Sequence, residues 1–150
     1  GGRLKRVTEY IKDEKAFCFT YGDGVGDNDI TESIAFHKRH GKKATITTSY
    51  PPGRFGALEI KDQKVLSFKE KPKGDGSRVN AGFFVLSPDV LDFIEDDNTI
   101  WEEGPLNKLV EDKELMAFQH EGFWKPMDTL ADKISLQEMW VEGKAPWKVW

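Results

Sequence analysis

The sequence predicts an α/β fold with a largely parallel sheet and helices on both faces. Three observations carry that prediction. Segments of helical periodicity alternate with short apolar runs. Two of these runs, Ala16 to Tyr21 and Ala81 to Leu86, are apolar enough to be strands buried on both faces. Clusters of Gly, Pro and Asp separate the segments. The right-handed crossover rule then places helices on both sides of the sheet.

The elements follow in order. Leu4, Val7 and Ile11 have helical spacing and predict a short helix over about residues 3 to 12. The run from Ala16 is a strand that stops at Gly22-Asp23-Gly24, a turn signal. Thr31 is a candidate cap for the next helix, and Gly41 ends it. Lys43 to Tyr50 is rich in Thr and Ile, as strands are, and Pro51-Pro52-Gly53 breaks it. Phe55 to Ile60 and Val65 to Phe68 read as a hairpin joined by Lys61-Asp62-Gln63-Lys64. Ala81 to Leu86 is a strand, and Pro88 and Pro105 each open a helix. Leu115 to Phe118 and Phe123-Trp124 are short strands. Thr129 caps a last helix through Ile134, Leu136 and Met139. Trp140, Trp147 and Trp150 fill the tail, where core packing and subunit contact are equal alternatives.

The chain has 150 residues, enough for one domain with a real core. Its net charge is −4, from 22 basic and 26 acidic residues that interleave along the sequence. That balance argues against non-specific nucleic-acid binding, which needs a basic face. Cys18, the one cysteine, excludes an intrachain disulfide, and its apolar neighbours predict a buried, inert thiol. The cytoplasm is the expected compartment. No apolar run reaches membrane-spanning length, so no membrane partner is expected. The sequence begins Gly1-Gly2 rather than with methionine, which fits a tag remnant or a piece of a longer protein.

Four stretches carry candidate chemistry. In Tyr21-Gly22-Asp23-Gly24, the carboxylate is a hard oxygen ligand suited to Mg²⁺, and the glycines allow close approach of phosphates. A plain Asp-Gly turn is the alternative. In Glu70-Lys71-Pro72, the ammonium suits a phosphate and the glutamate suits sugar hydroxyls; a solvated charge run is the alternative. In Asn80-Ala81-Gly82, the amide suits vicinal hydroxyls and Gly82 would let a ligand lie on the backbone, unless it marks a bulge. Asp128 precedes a helix, as a second metal ligand or as an acid favoured by the helix dipole. His37 and His40 share a helix face, but His37-Lys38-Arg39-His40 reads as solvated surface and not as a metal pair.

Together and in order, these stretches resemble the sugar-1-phosphate nucleotidyltransferases. That family carries a Gly-Asp metal motif, then Glu-Lys-Pro, then Asn-x-Gly, then an aspartate near a tryptophan. Gly22-Asp23, Glu70-Lys71-Pro72, Asn80-Ala81-Gly82 and Trp124 with Asp128-Thr129 match it. Gly1 to Val7, Pro51 to Leu58 and Lys144 to Lys148 look like the glucose-1-phosphate cytidylyltransferase branch. The resemblance covers essentially the whole chain. It implies a Rossmann-like, GT-A-like fold, with residues 1–150 as the C-terminal, sugar-phosphate-binding part of a single domain. It implies transfer of a nucleotidyl group, from CTP in that branch, to glucose 1-phosphate, with Mg²⁺ as cofactor. By position, Asp23 and Asp128 would hold the metal, and Asp23, Lys71 and Asp128 would be the catalytic set. Lys71 would pair with the sugar phosphate. Glu70, Asn80 and the Gly82 backbone would hold the sugar, and Gly22 would lie near the ribose.

The chain departs from the family in one respect. No apolar strand followed by a Gly-Gly-x-Gly-Thr-Arg loop occurs in it, so the first strands and the main nucleotide site are expected to be absent. Such a chain is expected to be inactive alone and to associate with its own copies, because an open sheet edge invites pairing. A uridylyl- or thymidylyltransferase of the same family, and a non-catalytic sugar-phosphate-binding module or partner chain, are the alternatives.

Overall fold

The computed structural model describes residues 1–53, 57–69 and 77–150. In chain order the helices are α1 (Gly2–Arg6), α2 (Thr8–Ile11), α3 (Ile30–His40), α4 (Pro105–Glu111) and α5 (Leu130–Val141). The strands are β1 (Phe17–Thr20), β2 (Gly24–Gly26), β3 (Ala44–Ser49), β4 (Ala57–Lys61), β5 (Lys64–Lys69), β6 (Val79–Leu86), β7 (Leu115–Gln119) and β8 (Trp124–Pro126). A 3-10 turn spans Pro88–Phe93, where the sequence predicts an α-helix. The described residues form two compact units, interleaved along the chain.

The first unit comprises Gly1–Tyr21, Asp29–Thr47 and Gly82–Gln119. Its frame is a four-stranded sheet of order β1-β6-β3-β7. The sheet is mixed. β6 pairs antiparallel with β1, with Phe17 opposite Leu86 and Thr20 opposite Phe83. Ser87 N donates to Lys43 O at 2.8 Å, so the end of β6 meets the start of β3 and these two are antiparallel as well. Ala44 N donates to Glu114 O and His120 N to Thr48 O, so β3 and β7 run parallel. Three of the four strands therefore share one direction.

Leu86, Val90, Ile94 and Leu109 form the centre of the core, each fully buried, with Trp101 and Phe84 beside them. Phe19 packs against both aromatic rings. β1 lies at the sheet edge and alternates half-buried and exposed. The expectation that it is buried on both faces is thus overturned. Phe17 and Phe19 reach the core, while Cys18 points the other way and is exposed, not buried. Period-2 alternation at an edge wins over the apolar content of the run. Partial burial still pushes the Cys18 thiol pKa up, so it stays protonated near neutral pH.

Asp29, not Thr31, caps α3: its carboxylate accepts from Glu32 N at 2.8 Å. Gly41 ends the helix in the left-handed region at φ +64°. The histidines of this helix correct a second expectation, because they are not solvated. His37 is buried, and both rings turn onto the Thr45 hydroxyl of β3, His37 Nδ1 at 2.9 Å and His40 Nε2 at 2.7 Å. The protons are ordered by the partners. Lys42 N–H donates to His40 Nδ1 at 2.9 Å, so His40 carries its proton on Nε2 and donates it to Thr45. The Thr45 hydroxyl then donates to His37 Nδ1, and His37 Nε2–H faces Ser87 Oγ at 3.5 Å. The bond from Lys42 N–H requires His40 to be neutral. Burial lowers both pKa values; a proton on His40 would lower His37 further, and for His40 the Glu114 carboxylate partly opposes the effect while Lys42 adds to it.

The second unit comprises Gly22–Asn28, Thr48–Ala81 and His120–Trp150. It holds two antiparallel ribbons, β2-β8 and β4-β5. The β4-β5 hairpin turns through Asp62 (φ 48°) and Gln63 (φ 65°), as a two-residue type I′ turn requires. Leu58, Ile60, Val65, Leu66 and Phe68 on it are all exposed. Helix α5 begins where the sequence places it. The Thr129 hydroxyl accepts from Asp132 N, and the Asp132 carboxylate accepts from Thr129 N at 3.1 Å, a capping box. In the tail, Trp147 stacks on Phe123, with ring centroids 5.5 Å apart, whereas Trp150 is exposed.

Candidate functional site

Asp23 and Asp128 meet at one end of the β2-β8 ribbon. Register pairs Gly24 with Pro126 and Gly26 with Trp124. One step beyond the last pair, Met127 N donates to Asp23 O at 2.7 Å. Asp23 therefore enters β2 where Asp128 leaves β8, and both are exposed. The strands whose ends carry them form this short antiparallel ribbon and are not members of the four-stranded sheet. The ribbon is missed from sequence because β2 is three residues with two glycines, which read as a turn.

A methyl group on Gly22 would meet nothing within 4 Å, so the backbone beside Asp23 is open. Among the described residues no group of three metal-ligating side chains occurs. Two carboxylates nevertheless fit Mg²⁺, which commonly takes one or two carboxylates and fills its octahedron with water and substrate phosphates.

Asn80 lies in β6, half-buried, within the same unit as the two aspartates. Next to it, Ala81 O accepts a 2.9 Å hydrogen bond from the Trp124 indole Nε1–H. Gly82, in the first unit, is buried and has φ +79°. A Cβ there would lie 3.0 Å from Tyr21 Cδ2. The Tyr21 ring thus fills the face that the sequence reading opens to a ligand, and this glycine has a packing reason to be one. Glu70 and Lys71 lie outside the described residues.

Two features escape the sequence reading. Arg78 stacks on Tyr50 with its guanidinium 4.4 Å from the ring centre, pairs with Glu121, and donates to Thr48 O and His120 O. It precedes Asn80 by two residues in the direction of β6; that spacing was the available signal. His120 Nε2 lies 3.0 Å from both Asp27 Oδ1 and Phe123 O, with its side chain 9% exposed. A side chain at Gly122 would collide with Asp27 Oδ1 at 2.3 Å, so Gly122 is required for this pairing.

A cleft of about 490 Å³ in the second unit is lined by Tyr50, Pro51, Pro52, Phe123, Trp124 and Lys125, among others. Its one carboxylate, Glu121, is already paired with Arg78. Among the described residues no helix is long and apolar enough to cross a membrane.

A mixed four-stranded sheet with helices, and two short antiparallel ribbons interleaved with it in sequence, define an α/β protein. The model of the nucleotidyl transferase family matches residues 3–136, and the chain belongs to that family. It is 63% identical over 150 residues to the glucose-1-phosphate cytidylyltransferase of Salmonella typhimurium LT2, covering 100% of this chain and 58% of that protein. It is 35% identical over 141 residues to the mannose-1-phosphate guanyltransferase of Saccharomyces cerevisiae, covering 89% of this chain and 39% of that one. Among solved structures, HddC from Yersinia pseudotuberculosis superposes with a TM-score of 0.63 at 19% identity, over 91% of this chain and 60% of HddC. That likeness shows a shared fold. The chain thus spans somewhat over half the length of the cytidylyltransferase it matches.

Proposed function

We propose that this chain is the sugar-phosphate-binding portion of an enzyme that transfers a cytidylyl group from CTP to glucose 1-phosphate. A phosphate oxygen of the sugar attacks the α-phosphorus of CTP. The bond from that phosphorus to the β-phosphate oxygen breaks, and pyrophosphate leaves with the electron pair, giving CDP-glucose. The observation that supports this reading is the meeting of Asp23 and Asp128 at one ribbon end. When bound there, Mg²⁺ would supply neutralisation of the charge that develops on the phosphates.

The chain's own residues bind and orient. Asp23 and Asp128 present oxygen ligands. Lys71 pairs with the sugar phosphate as a point charge. Glu70 and Asn80 hold sugar hydroxyls, and the open backbone at Gly22 takes the ribose. No residue needs to act as a nucleophile, because phosphoryl-type transfer depends on positioning and charge. The choice of cytidine rests on the 63% identical relative, against uridine or thymidine.

Calorimetric titration of glucose 1-phosphate into the chain with Mg²⁺ tests the reading. Binding is expected, weakened roughly tenfold or more by Lys71→Ala as a charge-assisted contact is lost. No binding, or binding indifferent to Lys71→Ala, contradicts it. With CTP added, the chain alone is expected to release no pyrophosphate. Turnover at ordinary rates of about 1–1000 per second would show that the Gly-rich loop is dispensable.

A further inference from the structure

We propose that Trp124 is a positioning residue: its indole N–H, held by the Ala81 carbonyl, sets the spacing between the Asp23–Asp128 ribbon end and Asn80. This rests on the reading that the aspartates hold a divalent cation and Asn80 a sugar hydroxyl.

The ribbon is three residues on each strand, and a two-stranded ribbon is marginal by itself. Its internal bonds fix Asp23 against Met127, but they do not fix either aspartate against β6. Trp124 does that. It stands on β8, four residues before Asp128, and its Nε1–H reaches Ala81 O at 2.9 Å. Ala81 is buried, with Asn80 before it in the chain. The backbone of β2 closes on the same point. A Cβ built on Gly24 would lie 3.4 Å from Ala81 O and 3.5 Å from Trp124 Nε1. Gly24 is the neighbour of Asp23. Three strands therefore converge on one hydrogen bond, one peptide away from a candidate metal ligand on one side and a candidate sugar ligand on the other. Indole is a donor only, so this N–H cannot turn round to serve as an acceptor. Phenylalanine would keep an aromatic ring and leave the Ala81 carbonyl buried without this donor.

The consequence is a split between two affinities. Mn²⁺, standing in for Mg²⁺, should bind the aspartates through the ribbon's own geometry. Glucose 1-phosphate should need metal and Asn80 at a set spacing. We expect Trp124→Phe to keep the Mn²⁺ affinity measured by electron paramagnetic resonance within about twofold. Calorimetry in saturating Mn²⁺ should show glucose 1-phosphate binding weakened roughly 3- to 10-fold, the range set by one lost hydrogen bond. A folded Trp124→Phe chain with unchanged glucose 1-phosphate affinity overturns the proposal. So does a parallel loss of both affinities with a lowered melting temperature, which a purely structural role produces. If Trp124→Phe gives no cooperative melt, β-(3-benzothienyl)alanine at position 124 removes the N–H at nearly constant shape, with the same expectation. Asp23→Asn is the separate control. If Mn²⁺ does not bind the unsubstituted chain, or binds Asp23→Asn equally well, the reading of the metal site fails, and the positioning role fails with it.

Discussion

Replacing Gly82 by alanine isolates the packing role of a residue whose neighbours suggest a sugar contact. Two costs follow from its surroundings. At φ +79° an L-residue is strained, which costs about 1–2 kcal/mol. The new Cβ would also sit 3.0 Å from Tyr21 Cδ2 and 3.2 Å from Tyr21 Cβ and Cγ. Tyr21 cannot yield easily, because it is packed by Phe19 and Phe84, bonded through Oη to Glu102, and tied by its N–H to Gly82 O at 2.9 Å. Overpacking of this kind costs about 1–3 kcal/mol. The sum is about 2–5 kcal/mol, or a melting temperature lower by roughly 4–20 °C for a chain of this size. Urea denaturation of Gly82→Ala, Tyr21→Ala and the double variant separates the two costs. Tyr21→Ala should relieve the clash and leave the strain, so the double variant should lose less than the sum of the singles. A Gly82→Ala chain within about 0.5 kcal/mol of the parent would refute the reasoning.

Further predictions concern pH and association. Burial lowers the folded-state pKa of His37 and of His40 below the unfolded value of about 6.5. The unfolded chain therefore binds more protons in that window, and stability that is complete above pH 6.5 falls as pH drops towards the folded values. Glu114 and Lys42 are the charged groups facing His40, with opposite effects. Unfolding free energies at pH 7.0 and 5.5 should show the loss, and His37→Asn should reduce it; equal stability at both values contradicts the neutral-ring chain through Thr45. The exposed apolar side chains of β4-β5 and the open edge of β1 predict self-association, with light scattering giving a mass above one chain. A monomer across micromolar concentrations would contradict this.

Much of the fold is legible because periodicity and capping are local. Gly41, Thr129 and the Asp62-Gln63 turn each act through their own backbone, so their sequence signal survives folding. What fails is what tertiary context decides. The apolar content of β1 cannot tell an edge strand from a central one, and so Cys18 is misread as buried. The charged neighbours of His37 and His40 suggest solvent, but Thr45, eight and five residues away, draws both rings inwards. β2 has too few residues to show an alternation, so the ribbon that brings Asp23 to Asp128 is visible only in three dimensions. The two aspartates themselves are legible as candidate ligands; their shared ribbon end is not. Arg78 and the His120–Asp27 pair belong to no motif that the sequence reading weighs.

The most direct measurement is a crystal of the chain soaked in Mn²⁺ and glucose 1-phosphate, with diffraction collected at the manganese edge. One anomalous peak coordinated by both Asp23 and Asp128 is expected, with the sugar phosphate on the metal and Asn80 on a sugar hydroxyl. A bound metal that leaves either aspartate uncoordinated, or glucose 1-phosphate seated away from the end of the β2-β8 ribbon, would contradict it.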